Sequence, residues 1–156
     1  RPDMALRTTF IIGHPGETYE TAMETLNTAE TLPASYVNIY GLLPMKGTEA
    51  YNQLKELEKK GDATFLYDHD YYIEHFSSQG IDPVFETREL SKEARRKLLI
   101  RGRNITKRRA MEYRLGKIPG RLAYFFLKNE KLFNFVNNLR NTSLGSWLYT
   151  RMRHED

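Results

Sequence analysis

Residues 8–18 read TTFIIGHPGET, and this stretch decides how the chain is interpreted. Its first five residues are β-branched or aromatic, and Gly13, Pro15 and Gly16 end the apolar run, which is typical of a short buried strand. Thr18 stands where a helix N-cap belongs, and apolar residues recur at three- and four-residue spacing as far as Leu32. The stretch therefore predicts a strand over 8–13 and a helix over 18–32.

The same pattern follows once more. Residues 36–43 alternate like a strand, Thr48 is placed to cap a second helix, and Gly61 stands at its end. Strand, helix, strand and helix with short loops are typical of parallel α/β proteins, so we predict two adjacent parallel strands joined by a right-handed crossover. Two strands do not form a stable parallel sheet alone. We therefore expect further strands upstream, in a longer protein from which this chain is cut.

The remaining residues differ in character. Residues 62–90 are acidic and aromatic with turn signals, and predict an irregular connection. Residues 91–156 predict a basic all-helical tail. Its first helix runs from Ser91 to about 116, and its second begins with Pro119 as the first residue and has a break near 129. A last short helix carries Leu144, Trp147, Leu148 and Met152. The chain thus divides into residues 1–61, 62–90 and 91–156.

Charge is distributed unevenly along the chain. Residues 1–85 carry six Lys/Arg against thirteen Asp/Glu, and residues 86–156 carry eighteen against seven. The run from Arg95 to Arg109 has the charge to bind nucleic acid or an anionic membrane surface. Its charges are spread around the helix, which favours a solvated face or one that meets the acidic first part. The aromatic residues of the tail (Phe125, Phe126, Phe133, Phe135 and Trp147) are interpreted first as core, with a partner surface as the alternative.

Several classes of protein are excluded by composition. The chain has no cysteine, which removes disulfides, thiol catalysis and cysteine-ligated metal from it. No run of eighteen apolar residues and no signal peptide is present, so we expect no transmembrane segment and a cytoplasmic location.

Two segments resemble a known family. TTFIIGHPGET at 8–18 resembles the fifth-strand segment of the radical S-adenosylmethionine (radical SAM) enzymes, an apolar strand that runs into G-x-P-G-E-T. YVNIYGLLPMKGTEAY at 36–51 is similar to the sixth strand and the following P-G-T-x-x-Y, with Met45-Lys46 in place of the more common Tyr-Pro. The two motifs stand in the family's order and cover about the first sixty residues. The resemblance implies that these residues are the C-terminal portion of a partial (β/α) TIM-like barrel.

The resemblance implies a cofactor site. In the family, strand ends at these positions hold the adenine of S-adenosylmethionine, which makes the cofactor-binding candidates Ile11, Ile12, Gly13, Pro15, Leu43, Pro44 and Met45. Glu17 is expected to cap its own helix. The three cysteines that bind the family's 4Fe-4S cluster have no counterpart here, so the resemblance implies that a missing N-terminal part of the same protein supplies the cluster. The chain alone is then expected to bind no iron and to be inactive.

Different parts of the chain resemble two different branches of this family. Residues 2–9 resemble the approach to the same strand in the tRNA and protein methylthiotransferases, which end in a small β-barrel. The long connection and the helical tail are more similar to the cobalamin-binding branch with the anaerobic porphyrin cyclases and related iron–sulfur oxidoreductases. We favour the second branch, with cobalamin as a further cofactor of the intact protein.

Three histidines are weighed separately. His14 lies at the expected ligand edge and is either a substrate or cofactor contact or a surface residue. His69 and His75, among acidic residues, suggest either a metal site or a segment packed on the barrel, and we favour packing because the spacing fits no standard ligand set.

Two classes of function remain. The first is a fragment of a radical SAM oxidoreductase or transferase, and the second is a basic helical module that binds nucleic acid or an anionic surface. The residues upstream of Arg1 separate them, since a C-x-x-x-C-x-x-C triplet there favours the enzyme. No residue carries a substrate-specific signature.

Overall fold

The fold is mixed α/β, as seen in a computed structural model that describes residues 5–129. Within that range the chain forms five helices and four strands in two small sheets. In chain order these are β1 (Arg7–Ile12), α1 (Tyr19–Thr31), β2 (Tyr36–Gly41), α2 (Glu49–Lys60), β3 (Ala63–Phe65), α3 (His69–His75), β4 (Phe85–Thr87), α4 (Lys92–Leu115) and α5 (Lys117–Lys128).

The first sheet consists of β1 and β2, which pair in parallel with Ile12 opposite Gly41. This confirms the predicted adjacent parallel strands, while the barrel and the handedness of the crossover stay predictions. The helix ends also agree with the sequence. Thr18 Oγ1 accepts a hydrogen bond from the Thr21 N–H at the start of α1, and Gly61 ends α2 with a left-handed φ of 80°.

The two faces of this sheet have different surroundings. Alternation along β1 and β2 directs one set of side chains into a buried cluster shared with α1 and α4; it comprises Ile12, Ala22, Leu26, Ala29, Ala34, Val37, Ile39, Leu90, Leu98 and Ile105. On the opposite face, Thr9 and Ile11 are exposed, and Asn38 and Tyr40 are half-buried. We call this second face the outer face of the sheet.

The connection predicted as irregular is partly regular. Residues 62–90 contain α3 and an antiparallel pair of three-residue strands, β3 and β4. Ala63, Tyr72, Val84 and Phe85 of this segment join Leu54 of α2 in a second buried cluster. The correction has a physical reason: strands this short are fixed by a partner about twenty residues away and by burial, so they leave almost no local periodicity.

The helices after residue 90 follow the prediction in outline. Ser91 Oγ accepts from the Ala94 N–H at the start of α4. The start of α5 is a correction, because Gly116 is its N-cap and Pro119 is its third residue, where the missing N–H costs no intrahelical bond. No helix between residues 5 and 129 is long and apolar enough to cross a membrane.

The chain separates into two compact units, one up to Ala110 and one from Met111 onward. The division at residues 61 and 90 stays a prediction. The predicted last helix, with Leu144, Trp147, Leu148 and Met152, lies outside the described residues, as do Phe133 and Phe135.

Candidate functional site

Both sequence motifs end at the same edge of the first sheet. Since β1 and β2 are parallel and in register, the loops that follow them leave the same edge. The Leu42 N–H donates to the Ile12 carbonyl at 2.9 Å, which extends the pairing just beyond the strands. We call residues 13–17 the first loop and residues 42–48 the second loop.

The first loop is a tight turn held by its own atoms. Gly13 and Gly16 have φ values of 93° and 80°, which side chains other than glycine rarely adopt. The Glu17 N–H donates to the His14 carbonyl at 3.1 Å. The Glu17 carboxylate accepts the Gly13 N–H, so Glu17 fastens the turn instead of capping α1, a position that Thr18 occupies.

Arg95 of α4 closes the first loop from the other side. Its side chain is buried, with 4% of the residue exposed. Nη1 donates to the Gly13 carbonyl at 2.7 Å, Nε donates to the Leu90 carbonyl at 3.2 Å, and Nη2 donates to Thr87 Oγ1 at 3.4 Å. The guanidinium lies over the Phe85 ring, 4.1 Å from its centroid. A buried cation therefore ties the loop after β1 to α4 and β4.

Burial also changes the acidity of this group. Desolvation lowers the pKa of Arg95 to about 10, while the negative charges of Glu17, Glu86 and Glu89 act in the opposite direction. The guanidinium is still protonated at neutral pH, so it donates in all three hydrogen bonds.

The sequence interpretation missed Arg95 because it counted this residue with the solvated charges of α4. A signal was present. Arg95, Leu98, Gly102 and Ile105 are buried and recur at spacings of three and four residues, so the arginine lies on the apolar stripe of the helix.

The second loop is held by α3. The Tyr72 hydroxyl donates to the Pro44 carbonyl at 2.5 Å, and Tyr72 is completely buried. Burial is the main reason that the pKa of Tyr72 rises to about 12. On the surface, Lys46 Nζ contacts Asp70 at 3.0 Å, and hydrogen bonds from His69 and Lys46 lower the pKa of the Asp70 carboxyl.

The seven cofactor-binding candidates differ in accessibility. Ile12, Gly13 and Pro44 are buried, Pro15 and Leu43 are half-buried, and Ile11 and Met45 are 46% and 52% exposed. Both backbone groups of Gly13 already have partners within the chain. Ile11 and Ile12, named together from the sequence, lie on opposite faces of β1. Of the candidates, Ile11 and Met45 are the most accessible to a ligand.

A small cavity lies behind the loops. It has a volume of about 30 Å³ and is lined by Ile12, Gly13, Leu43 and Arg95 together with residues of the second cluster. Such a volume has room for about two water molecules. A more open groove of about 330 Å³ lies between α2 and the β3–α3 segment, and its lining includes His69 but none of the seven candidates.

The histidines have local partners. His14 is exposed in the first loop. His69 Nε2 accepts the Lys46 N–H at 3.2 Å while Nδ1 lies 2.9 Å from Asp70, and His75 Nδ1 lies 2.8 Å from the Tyr71 carbonyl. Residues 5–129 contain no group of three or more His, Asp or Glu side chains that would hold a metal ion.

Basic residues of α4 contact the acidic first part of the chain. Arg108 pairs with Glu30 at 2.6 Å, and Arg101 donates to Asn27 at 3.1 Å. Arg96 lies 3.6 Å from Asp82. Part of the run therefore meets the acidic first part of the chain, as one of the two favoured interpretations expected, while binding of an anionic partner stays a prediction.

Comparison with known proteins gives one kind of match. The chain is 37% identical over 60 residues to the ribosomal protein uS12 methylthiotransferase RimO of Leptospira biflexa serovar Patoc, in the Ames strain and in the Paris strain alike. The match covers 38% of this chain and 13% of those relatives. No family model matches the chain, and no solved structure matches it.

The match supports a connection to the radical SAM enzymes only at a coarse level. It is to a methylthiotransferase, the branch that the sequence analysis placed second. It gives no support for cobalamin.

Proposed function

We propose that the chain is the C-terminal part of a radical SAM enzyme and contributes the adenine-binding side of the cofactor site. The observation that carries the proposal is the parallel pairing of β1 and β2, with Ile12 opposite Gly41. That pairing brings the two motif loops to one sheet edge, where ligands bind in parallel α/β folds.

The adenine is proposed to lie against the outer face of the sheet. Ile11 is exposed there, and Tyr40 lies opposite it in the strand register. An apolar side chain beside an aromatic ring suits a flat heterocycle. The other side of the loops is occupied by Arg95, whose guanidinium fills the space beside Gly13. Met45, at the exposed start of the second loop's turn, is the second side chain proposed to touch the ring.

The chain's own residues then position the cofactor, while the chemistry comes from elsewhere. A 4Fe-4S cluster held by the upstream part would supply the electron-transfer chemistry. Arg95, Glu17 and Tyr72 do not touch the adenine in this proposal. They fix the two loops so that Ile11 and Met45 stay in place before the cofactor binds.

Methylthiotransferase activity is the second candidate within the family. The 60-residue match to the two Leptospira enzymes favours it, as does the resemblance of residues 2–9. The helices α4 and α5, in the place where that branch has a β-barrel, favour the oxidoreductase branch instead.

The test uses the intact protein, including the residues upstream of Arg1. Ile11→Gln is compared with Ile100→Gln, because Ile100 is similarly exposed, at 40%, but lies on α4. Calorimetric titration with S-adenosylmethionine should give about tenfold weaker binding for Ile11→Gln, the equivalent of about 1.4 kcal/mol of lost apolar contact. Ile100→Gln should bind like the wild type, and both variants should keep their iron content.

Two outcomes would contradict different parts of the proposal. Equal affinity of both variants would show that the outer face is not the adenine side. An intact protein that binds neither iron nor S-adenosylmethionine would overturn the proposed function itself. Replacement of Gly13 is a poor test, because a side chain there would meet Arg95 Nη1 at 2.5 Å and disturb the fold.

A further inference from the structure

Within the part of the chain that the structure describes, the most apolar side of helix α5 is exposed. Ile118, Leu122 and Phe125 are 74%, 55% and 62% exposed, and they lie four and three residues apart, on one stripe of the helix. Phe126, beside this stripe, is also exposed and makes an edge-on contact with Phe125 at 6.2 Å. We call these four residues the apolar stripe of α5.

The opposite side of the helix is packed closely. Gly120 is buried, and a Cβ placed there would lie 2.5 Å from backbone atoms of Met111 and Glu112. Arg121 Nε donates to the Glu112 carboxylate at 2.9 Å. These contacts fix the rotation of α5 about its axis, so the apolar stripe is turned away from Met111 and Glu112.

Basic residues form a second stripe. Lys117, Arg121 and Lys128 are four and seven residues apart, which places them on one side of the helix, next to the apolar stripe. The charge of Arg121 is paired with Glu112, so Lys117 and Lys128 supply the positive charge of this border. All three are exposed, and α5 contains no Asp or Glu. The helix thus presents large apolar side chains with positive charge along one border.

We propose that α5 docks on an anionic membrane surface. An interfacial helix buries its apolar side at the level of the lipid headgroups while Lys and Arg contact anionic lipids, and the two stripes of α5 have this arrangement. The positive charge of α5 argues against a partner surface that carries no acidic groups. The apolar stripe argues against a nucleic acid, whose phosphates would lie against Ile118 and Leu122. This inference is independent of the proposed cofactor site.

The test is flotation of the full chain with lipid vesicles. Vesicles of phosphatidylcholine with phosphatidylglycerol should carry the chain, and vesicles of phosphatidylcholine alone should carry much less. Ile118→Gln/Phe125→Gln should weaken binding by about tenfold or more, since each apolar side chain that leaves the lipid loses a substantial part of its transfer free energy. Ile100→Gln is the matched control and should bind like the wild type.

A second variant separates charge from apolar contact. Lys117→Gln/Lys128→Gln should weaken binding to anionic vesicles by about tenfold at low salt and by less at high salt. As a control, circular dichroism should show that each variant keeps its helix content. The proposal is overturned if the chain floats with neither kind of vesicle, if the apolar variant binds like Ile100→Gln, or if a duplex RNA probe is bound while vesicles are not.

Discussion

The first loop and the second loop each follow a strand of the first sheet and leave it at the same edge, but different side-chain groups hold them in place. Arg95, a buried cation 82 residues further along the chain, donates to the carbonyl of Gly13. Tyr72, a neutral phenol 28 residues further along, donates to the carbonyl of Pro44. The first loop therefore depends on the docking of α4 and on a buried charge, whereas the second depends on α3 and on an uncharged hydroxyl.

This difference has a consequence for stability. Removal of the buried guanidinium loses three hydrogen bonds and leaves the Gly13 carbonyl without its donor, whereas removal of the Tyr72 hydroxyl loses one hydrogen bond. We expect the first loop to be the more sensitive of the two to substitution of its anchor.

The largest effect is expected for Arg95→Met. Three hydrogen bonds from a buried guanidinium are lost and the Gly13 carbonyl is left without its donor, so the free energy of unfolding should fall by about 3 kcal/mol. Arg96→Met is the matched control, because Arg96 is half exposed and its contact with Asp82 is 3.6 Å long. It should change stability by less than about 0.5 kcal/mol in the same urea titration. Similar curves for the two variants would show that Arg95 does not anchor the loop.

A smaller effect is expected for Gly13→Ala, and it should exceed that of Gly16→Ala. Both positions have a positive φ, which costs about 1 kcal/mol for alanine. At Gly13 the new Cβ also meets Arg95 Nη1 at 2.5 Å, while at Gly16 nothing lies within 4 Å. The expected loss in denaturant titration is therefore about 2 kcal/mol at Gly13 and about 1 kcal/mol at Gly16.

A double-mutant cycle sharpens this prediction. In an Arg95→Met background the extra cost at Gly13 should shrink toward the cost at Gly16, because the clashing group is gone. Equal costs at both glycines in the wild-type background would contradict the contact between Gly13 and Arg95.

The smallest effect at neutral pH is expected for Tyr72→Phe. The loss of one buried hydrogen bond to Pro44 should lower the free energy of unfolding by about 1 kcal/mol. The pKa of Tyr72 is raised to about 12, so its contribution to stability is fully present below the unfolded-state pKa of about 10 and is lost as the pH rises toward 12.

Between pH 10 and 12 the stability of the wild type relative to Tyr72→Phe should accordingly fall by roughly 2 kcal/mol. Since the advantage at neutral pH is only about 1 kcal/mol, the wild type should become the less stable of the two near pH 12. Other Tyr, Lys and Arg residues titrate in both proteins and cancel in the comparison. Denaturation at several pH values checks this, and a difference that stays constant up to pH 12 would refute the raised pKa.

Much of the fold was predictable because short stretches of the sequence indicate the helices and strands directly. Thr18, Thr48 and Gly61 stand at helix ends, and the apolar spacing of α1 and the alternation of β2 indicate their elements directly. The parallel pairing followed from the order of the elements. By contrast, β3 and β4 are three residues each, and their pairing depends on tertiary contacts that no short window contains.

The site was predictable only in part. The resemblance indicated the correct pair of loops as neighbours, but it grouped Ile11 with Ile12, although alternation along a strand places them on opposite faces. Arg95 was overlooked because a single arginine among many basic residues gives no signal by its type. Its position on the stripe with Leu98 and Ile105 was the only indication.

The central claim is that both loops flank the adenine of S-adenosylmethionine, and photolabelling tests it most directly. The intact protein would be irradiated with an azidoadenine analogue of S-adenosylmethionine, with and without excess unlabelled cofactor, and the modified residues identified by mass spectrometry. We predict competed labels within residues 11–17 and 42–46. Labels confined to residues upstream of Arg1, or to α4 and α5, would contradict the proposed cofactor site.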